Sequence, residues 1–244
     1  MRIVNPKIST RADWEKSWGG GFYTKDSSAG NQACQDRANY INKTLEHLGV
    51  TPQVLADVGC GNGMFAQALL EYYPNTRMIM IDWSTTALNI AKERLSGFIE
   101  RCIFIQQDTS KLEAPIDADV FLSMGVIEHY DDPLAQLDIL VRQMPDHAYL
   151  VLMTPNSRSM VVASRWILQL RKKWTLGLQR EYGVDYLEDI STKAGLKVLH
   201  KEALLRRKIP EDGLLGKLCN YTDHIVAKFV PRWGWYSFVF CQKL

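Results

Sequence analysis

The sequence reads as a doubly wound α/β protein, a parallel sheet with helices on both faces, and three observations carry that expectation. Val54 to Met64 is an apolar run that includes Asp57 and opens into a glycine-rich turn at Gly59, Gly61 and Gly63. Beyond it Phe65, Ala66, Leu69 and Leu70 recur at helical spacing, so the unit is strand, glycine loop, helix. Four further apolar runs, Arg77 to Ile81, Cys102 to Ile105, Ala118 to Ser123 and Tyr149 to Met153, alternate with helix-like stretches. Their polar tips fall at the strand C-termini, where open α/β sheets bind ligands.

Taken in order, Ala56 to Gly63 has the pattern of a buried strand feeding a tight loop, and Met64 to Tyr73 reads as a helix ended by Pro74-Asn75. Such a loop lets backbone approach a ligand closely and aims free helix N–H groups at it. The second strand ends at Asp82, about 20 residues past the loop, where nucleotide folds accept hydrogen bonds from ribose hydroxyls. The alternative is a strand-end acid beside a helix that Ser84 caps. The third strand ends in Gln106-Gln107-Asp108 and the fourth leads into Met124-Gly125-Val126-Ile127-Glu128-His129. A fifth closes with Thr154-Pro155-Asn156.

Asp57 two residues before Gly59, followed by Gly-x-Gly-x-Gly, resembles the first motif of class I S-adenosylmethionine-dependent methyltransferases, and the resemblance covers most of the chain. It is distinct from the dinucleotide fingerprint, whose third glycine would fall at Met64, which counts against a nicotinamide oxidoreductase. The resemblance implies a Rossmann-like seven-stranded, mostly parallel sheet whose last strand, Trp235 to Cys241, inserts antiparallel between the fifth and a sixth at Lys197 to Leu204. It implies S-adenosylmethionine held by Asp57, Gly59, Cys60, Gly61, Gly63, Asp82, Trp83, Asp108, Thr109 and Met124, with Asp108 on the adenine amino group. Cys60 reads as a small packing residue rather than a nucleophile. Related RNA-end and quinone enzymes that bind a divalent metal carry a Glu three residues before the Glu-His pair; here that position is Gly125, which argues against a metal and against that RNA chemistry.

Methyl transfer to a hydroxyl needs alignment of the acceptor and removal of its proton. His129, just past the fourth strand, has a side chain suited to general-base work near neutrality, and Glu128 would orient it or bind an acceptor amine. The alternative is a structural His129. O-methylation of a small molecule stands ahead of N- or C-methylation on a small molecule or glycan intermediate, and a cofactor-binding partner subunit without catalysis stays open.

Composition bounds the rest. The chain has 244 residues, 46% hydrophobic and 23% charged, within the range of one α/β domain spanning 1–244. A net charge of +2 gives no electrostatic case for nucleic acid. Five scattered cysteines lack metal-ligand spacing and fit a reducing cytoplasm rather than a disulfide scaffold. No apolar stretch is long enough to span a bilayer, and residues 1–20 lack a signal-peptide core.

Three segments lie outside the nucleotide unit and are expected to hold the acceptor. Residues 1–48 carry Trp14, Trp18, Gly19-Gly20-Gly21 and Tyr23 before a helix-like run from Gln35 to Leu48, either a lid over the cofactor or a segment packed on the sheet edge. Ser157 to Arg180 reads as one amphipathic helix with Trp166 and Trp174 among Arg165, Arg171, Lys172, Lys173 and Arg180. It serves as a cover helix, as an acceptor lid, or as a peripheral membrane-surface helix, and ubiquinone-pathway O-methyltransferases carry an amphipathic insertion at a similar place. Tyr182 precedes a helix at Asp185 to Ala194 that Gly195 ends. The connection from Arg206 to Arg232, with Pro210, Gly213 and Gly216, is longer than a bare hairpin and shapes the acceptor side. Trp18, Tyr23, His129, Trp166 and Tyr182 are the candidate acceptor contacts.

Overall fold

A computed structural model describes residues 9–20, 28–171, 178–205 and 214–244. In chain order the elements are α1 Arg11–Gly19, α2 Ser28–His47, β1 Val54–Val58, α3 Met64–Tyr72, β2 Arg77–Asp82, α4 Thr85–Arg94, β3 Cys102–Gln106, β4 Val120–Met124, α5 Pro133–Gln143, β5 Tyr149–Pro155, α6 Met160–Leu170, α7 Val184–Lys193, β6 Leu196–Leu204, α8 Leu214–Val226 and β7 Tyr236–Lys243. The sheet order is β3-β2-β1-β4-β5-β7-β6. The first five strands run parallel, and β7 is antiparallel to both β5 and β6, as the resemblance implied.

The central strands are apolar on both sides because both sides are covered. Leu55, Met78, Met80, Val120 and Leu122 pack with Ile41 and Leu45 of α2, Leu69 and Leu70 of α3, and Leu88 and Ala91 of α4. The neighbouring positions Ala56, Phe121, Leu150, Leu152 and Val239 pack with Leu137 and Leu140 of α5 and Leu187 and Ile190 of α7. Strand alternation thus divides one sheet between two cores. Among the described residues no helix is long and apolar enough to cross a membrane.

Three elements differ from the expectation. Residues Arg11–Gly19 form a helix, started by a capping box in which Thr10 accepts from the Asp13 backbone and Asp13 accepts from the Thr10 backbone. The helix expected over Ser157 to Arg180 is shorter, Met160–Leu170, and the chain has left helical geometry where it re-enters the described residues at Leu178. The connection before β7 contains a full helix, α8. Tyr23, Gly21, Lys172, Lys173, Trp174, Pro210 and Gly213 lie outside the described residues.

Candidate active site

The site is built where β1, β2, β3 and β4 end. Gly59, Gly61 and Gly63 all adopt positive φ, at 81°, 53° and 71°, the region where a side chain is disfavoured. Space forbids a side chain as well: a Cβ at Gly59 would stand 2.5 Å from the Val126 side chain. The loop is tied to β2 by the Gly59 and Cys60 N–H groups, which donate to the Ile81 carbonyl at 2.8 and 3.0 Å. Gly61 N–H donates to Asp82 Oδ2 at 2.9 Å, and Ser84 N–H donates to Asp82 Oδ1 at 2.9 Å. Asp82 is therefore held by backbone on both oxygens, each of which keeps a further lone pair. Burial pushes its carboxyl up, against the hydrogen bonds from Ser84 and Gly61.

Asp57 stands behind the loop, buried, with Oδ2 lacking any partner. Burial, with the charge of Asp82 second, raises its carboxyl to about 7. A buried acceptor without a donor is costly, and it fits a site completed by a ligand that donates. Cys60 is buried and its thiol lies well above the ordinary range, chiefly from burial, so it packs as expected and is not a thiolate nucleophile. At the tip of β3, Asp108 Oδ1 accepts from Ser110 N–H and Oγ–H at 2.9 and 2.7 Å. Thr109 is buried and its hydroxyl pairs with Tyr130 OH at 2.8 Å. Burial and then the neighbouring acids Asp108 and Asp82 push the Tyr130 phenol up to about 12. Trp83 is half-buried beside Asp82, and Met124 is buried at the end of β4.

His129 follows that strand. Its Nδ1 lies 2.7 Å from the Leu178 carbonyl, which only accepts, so Nδ1 carries the proton and Nε2 is left with its lone pair. Burial pulls the imidazole below its ordinary value, against the Leu178 hydrogen bond, so the ring is neutral at pH 7. The group that orients the ring is thus Leu178, and Glu128 makes no hydrogen bond to it. Glu128 is buried with Oε2 unpartnered, and burial raises its carboxyl to about 8. Arg180 fastens the turn: its N–H donates to the Glu128 carbonyl at 3.0 Å and its guanidinium to the Asp131 carbonyl at 2.6 Å.

Helix α1 covers this edge. Trp18 is 9% exposed, and a Cβ at Gly61 would meet its ring at 2.8 Å. One turn earlier, Trp14 sets its ring edge-on to His129, centroids 5.0 Å apart. Between them Glu15 clamps the N-terminus of α4, accepting from Thr85 N–H at 2.8 Å, Ser84 Oγ–H at 3.0 Å and Thr86 N–H at 3.2 Å. The sequence reading passed over Glu15, Tyr130 and Leu178. For the two side chains the signals were present, a capping box that announces α1 and an aromatic next to the Glu-His pair. The Leu178 contact is a backbone one and left no trace in residue type.

Of the remaining candidates, Trp166 is 52% exposed on α6 and stands apart from His129. Tyr182 is buried and stacks on Tyr186 at 4.6 Å. One cleft of about 180 Å³, lined by Cys34, Gln35, Met64, Gln67, Ala68 and Glu71, includes neither Asp57 nor Asp82 in its walls. The space above Gly61 holds Trp18 instead.

A mostly parallel sheet with an antiparallel β7, Asp57 before Gly-x-Gly-x-Gly, and acids following the next two strands match the fold of class I S-adenosylmethionine-dependent methyltransferases. Residues 55–144 match the family described as "Methyltransferase domain". The chain is 30% identical over 108 residues to the trans-aconitate 2-methyltransferase of Rhodopseudomonas palustris, covering 44% of this chain and 41% of that protein. It is 21% identical to the malonyl-[acyl-carrier protein] O-methyltransferase of a Paenibacillus species, over 80% of this chain and 74% of that one. Magnesium protoporphyrin IX methyltransferase from Synechocystis PCC 6803, solved with bound SAH, shares the fold at a TM-score of 0.62 and 14% identity, covering 97% of this chain and 95% of that one. The match spans about two fifths of the trans-aconitate relatives' length. Over residues 55–144 the chain matches the methyltransferase-domain family, and it shares the class I methyltransferase fold, which supports S-adenosylmethionine as its cofactor.

Proposed function

We propose that this chain transfers a methyl group from S-adenosylmethionine to a small-molecule acceptor, and that the accepting atom is an oxygen. The observation that carries the reading is the His129 ring: Nδ1–H is fixed on the Leu178 carbonyl, the ring is neutral, and Nε2 is left as a base at the sheet edge where the glycine loop ends. The cofactor supplies an electrophilic methyl group on sulfur. With the cofactor bound, the spare lone pairs of Asp82 would accept from ribose hydroxyls, Asp108 would accept from the adenine amino group, and the orphan Oδ2 of Asp57 would accept from a donor on the cofactor. Nε2 of His129 would take the acceptor's hydroxyl proton while the acceptor oxygen takes the methyl carbon, the electron pair of the broken C–S bond staying on the departing sulfur. Trp14 and Trp18 on α1 form a lid that moves off Gly61 to admit the cofactor and then excludes water.

The names of the curated relatives, acting on trans-aconitate and malonyl-acyl carrier protein, support a small-molecule acceptor and O-methylation. Five free thiols support a reducing cytoplasm as the compartment. The test pairs calorimetry with turnover. S-adenosylmethionine should bind, and an acceptor panel of carboxylates, phenols and amines should show transfer to oxygen that His129→Ala lowers about 100-fold without changing cofactor affinity. Transfer to an amine at a rate indifferent to His129 would refute the O-methylation reading.

A further inference from the structure

The surface that α6 and α8 turn to solvent is apolar and basic at once. On α8, Leu214, Leu218, Tyr221 and Ile225 fall at spacings of four, three and four, one helical stripe. All four are exposed, Leu214 by 88% and Leu218 by 60%. The helix cannot be turned to hide them, because its other side is in use: Cys219 and Asp223 are buried, and Asp223 accepts from Met160 N–H at 2.8 Å and Trp233 Nε1–H at 2.6 Å. Phe229, 80% exposed, extends the patch past the end of α8. Trp166 and Leu170 are likewise exposed on α6, which packs against α8. An exposed apolar stripe of this kind marks an interaction site.

Charge selects the partner. By sequence, residues 160–180 and 214–232 carry eight of the chain's 29 lysines and arginines and one of its 27 aspartates and glutamates; Arg165, Arg180 and Arg232 of these pair with Glu181, Asp131 and Asp185 outside the segments. The single acid, Asp223, is buried, whereas Arg171, Lys217 and Lys228 are exposed around the stripe. A second copy of this face would set basic against basic. An anionic surface with an apolar interior complements both properties, and exposed aromatic and leucine side chains flanked by cations are the composition of helices that lie in a bilayer interface.

We infer that the α6–α8 face docks peripherally on an anionic phospholipid membrane. Both helices spring from the sheet edge that carries the glycine loop and His129, since Pro155, Tyr236 and Leu204 share one row at the ends of β5 and β6. Docking there brings that edge to the bilayer. The inference is independent of the methyl-transfer reading.

Co-sedimentation of the full chain with vesicles of phosphatidylcholine alone, or of phosphatidylcholine with one quarter phosphatidylglycerol, tests it. The expected result is binding to the anionic vesicles at least tenfold stronger than to neutral ones, weakened by raised salt. Leu218→Glu with Ile225→Glu should reduce it at least tenfold, and Lys217→Gln with Lys228→Gln severalfold. The substituted positions are at the surface, so circular dichroism should be unchanged; Leu218→Ser, which removes the apolar side chain without adding charge, provides a second variant of the stripe. Absence of binding to anionic vesicles overturns the inference, as does binding untouched by all three variants. A dimer that Leu218→Glu dissociates, with no vesicle binding, overturns it in favour of self-association.

Discussion

Replacing Glu15 by Gln should loosen α1 from the sheet edge while leaving the core intact. Burial alone would raise the Glu15 carboxyl, but hydrogen bonds from Thr86, Thr85 and Ser84 hold it at about 2, against an ordinary 4.5. At about 1.4 kcal/mol per pH unit, that difference has a ceiling of roughly 3 kcal/mol. The side chain is 28% exposed and its pairing with Arg11 at 3.6 Å is on the surface, so solvent screening reduces the figure to about 1–2 kcal/mol. That is also the range of a carboxylate hydrogen-bonded at a helix N-terminus. Glutamine keeps one carbonyl acceptor and loses the charge. Amide hydrogen exchange over residues 14–19 should accelerate about 5- to 30-fold in Glu15→Gln at pH 7, with exchange in β1 and β4 unchanged. The sign with pH follows from the lowered carboxyl: its contribution is complete above 4.5 and lost as pH falls toward 2. Wild-type α1 should therefore loosen across that window while the variant stays level. Equal protection of α1 in both proteins at pH 7 would refute the clamp.

Asp82→Ala should weaken S-adenosylmethionine binding by about 1.5–3 kcal/mol, the loss of charge-assisted hydrogen bonds. Gly61→Val should do worse, since φ is 53° and the new Cβ meets the Trp18 ring at 2.8 Å; calorimetry that finds both affinities unchanged in folded protein rejects the cofactor site. If His129 is the base, the wild-type rate should rise with pH through a midpoint below 6.5, because burial lowers the ring's value. A midpoint above 6.5 would contradict the buried, Leu178-bound ring. Asp57→Asn should cost cofactor affinity yet raise the thermal midpoint at pH 8 by about 5 °C. With the native carboxyl raised from 3.8 to about 7, the folded state binds the proton more tightly than the unfolded one, so wild-type stability should fall across that interval and the variant's should not.

How much of this was legible depended on whether a residue's type implied its place. Val54 to Val58 is apolar but for Asp57 and runs into three glycines, which leaves few alternatives to a buried strand and a tight loop. Asp82 stands out because it breaks an apolar run at its C-terminal end, and Asp108 because it closes the polar stretch Gln106-Gln107-Asp108 after the next one. The α1 lid was harder, since its contacts are made by Trp14, Glu15 and Trp18 on a short helix with little apolar periodicity. Helix α8 was hidden for a related reason: Pro210, Gly213 and Gly216 read as loop, and its apolar stripe does not face the core. Nor does residue type reveal the Leu178 carbonyl that sets the His129 tautomer.

The buried carboxyls show why this sheet edge is a site rather than a well-packed end. Asp57 and Glu128 are each enclosed, each has an oxygen without a partner, and burial raises both, to about 7 and about 8. A fold selected for stability alone would place apolar residues there, because an unpaired buried acid destabilises the native state wherever it is ionised. The Arg165–Glu181 and Arg180–Asp131 pairs show that this region has cations, yet neither is spent on Glu128 or Asp57. Those acids are kept unsatisfied beside a loop whose φ angles only glycine adopts easily and close to a helix fixed by one carboxylate. Such an arrangement is stabilised by a ligand that brings donors, which is the part the proposed function gives to the cofactor at Asp57.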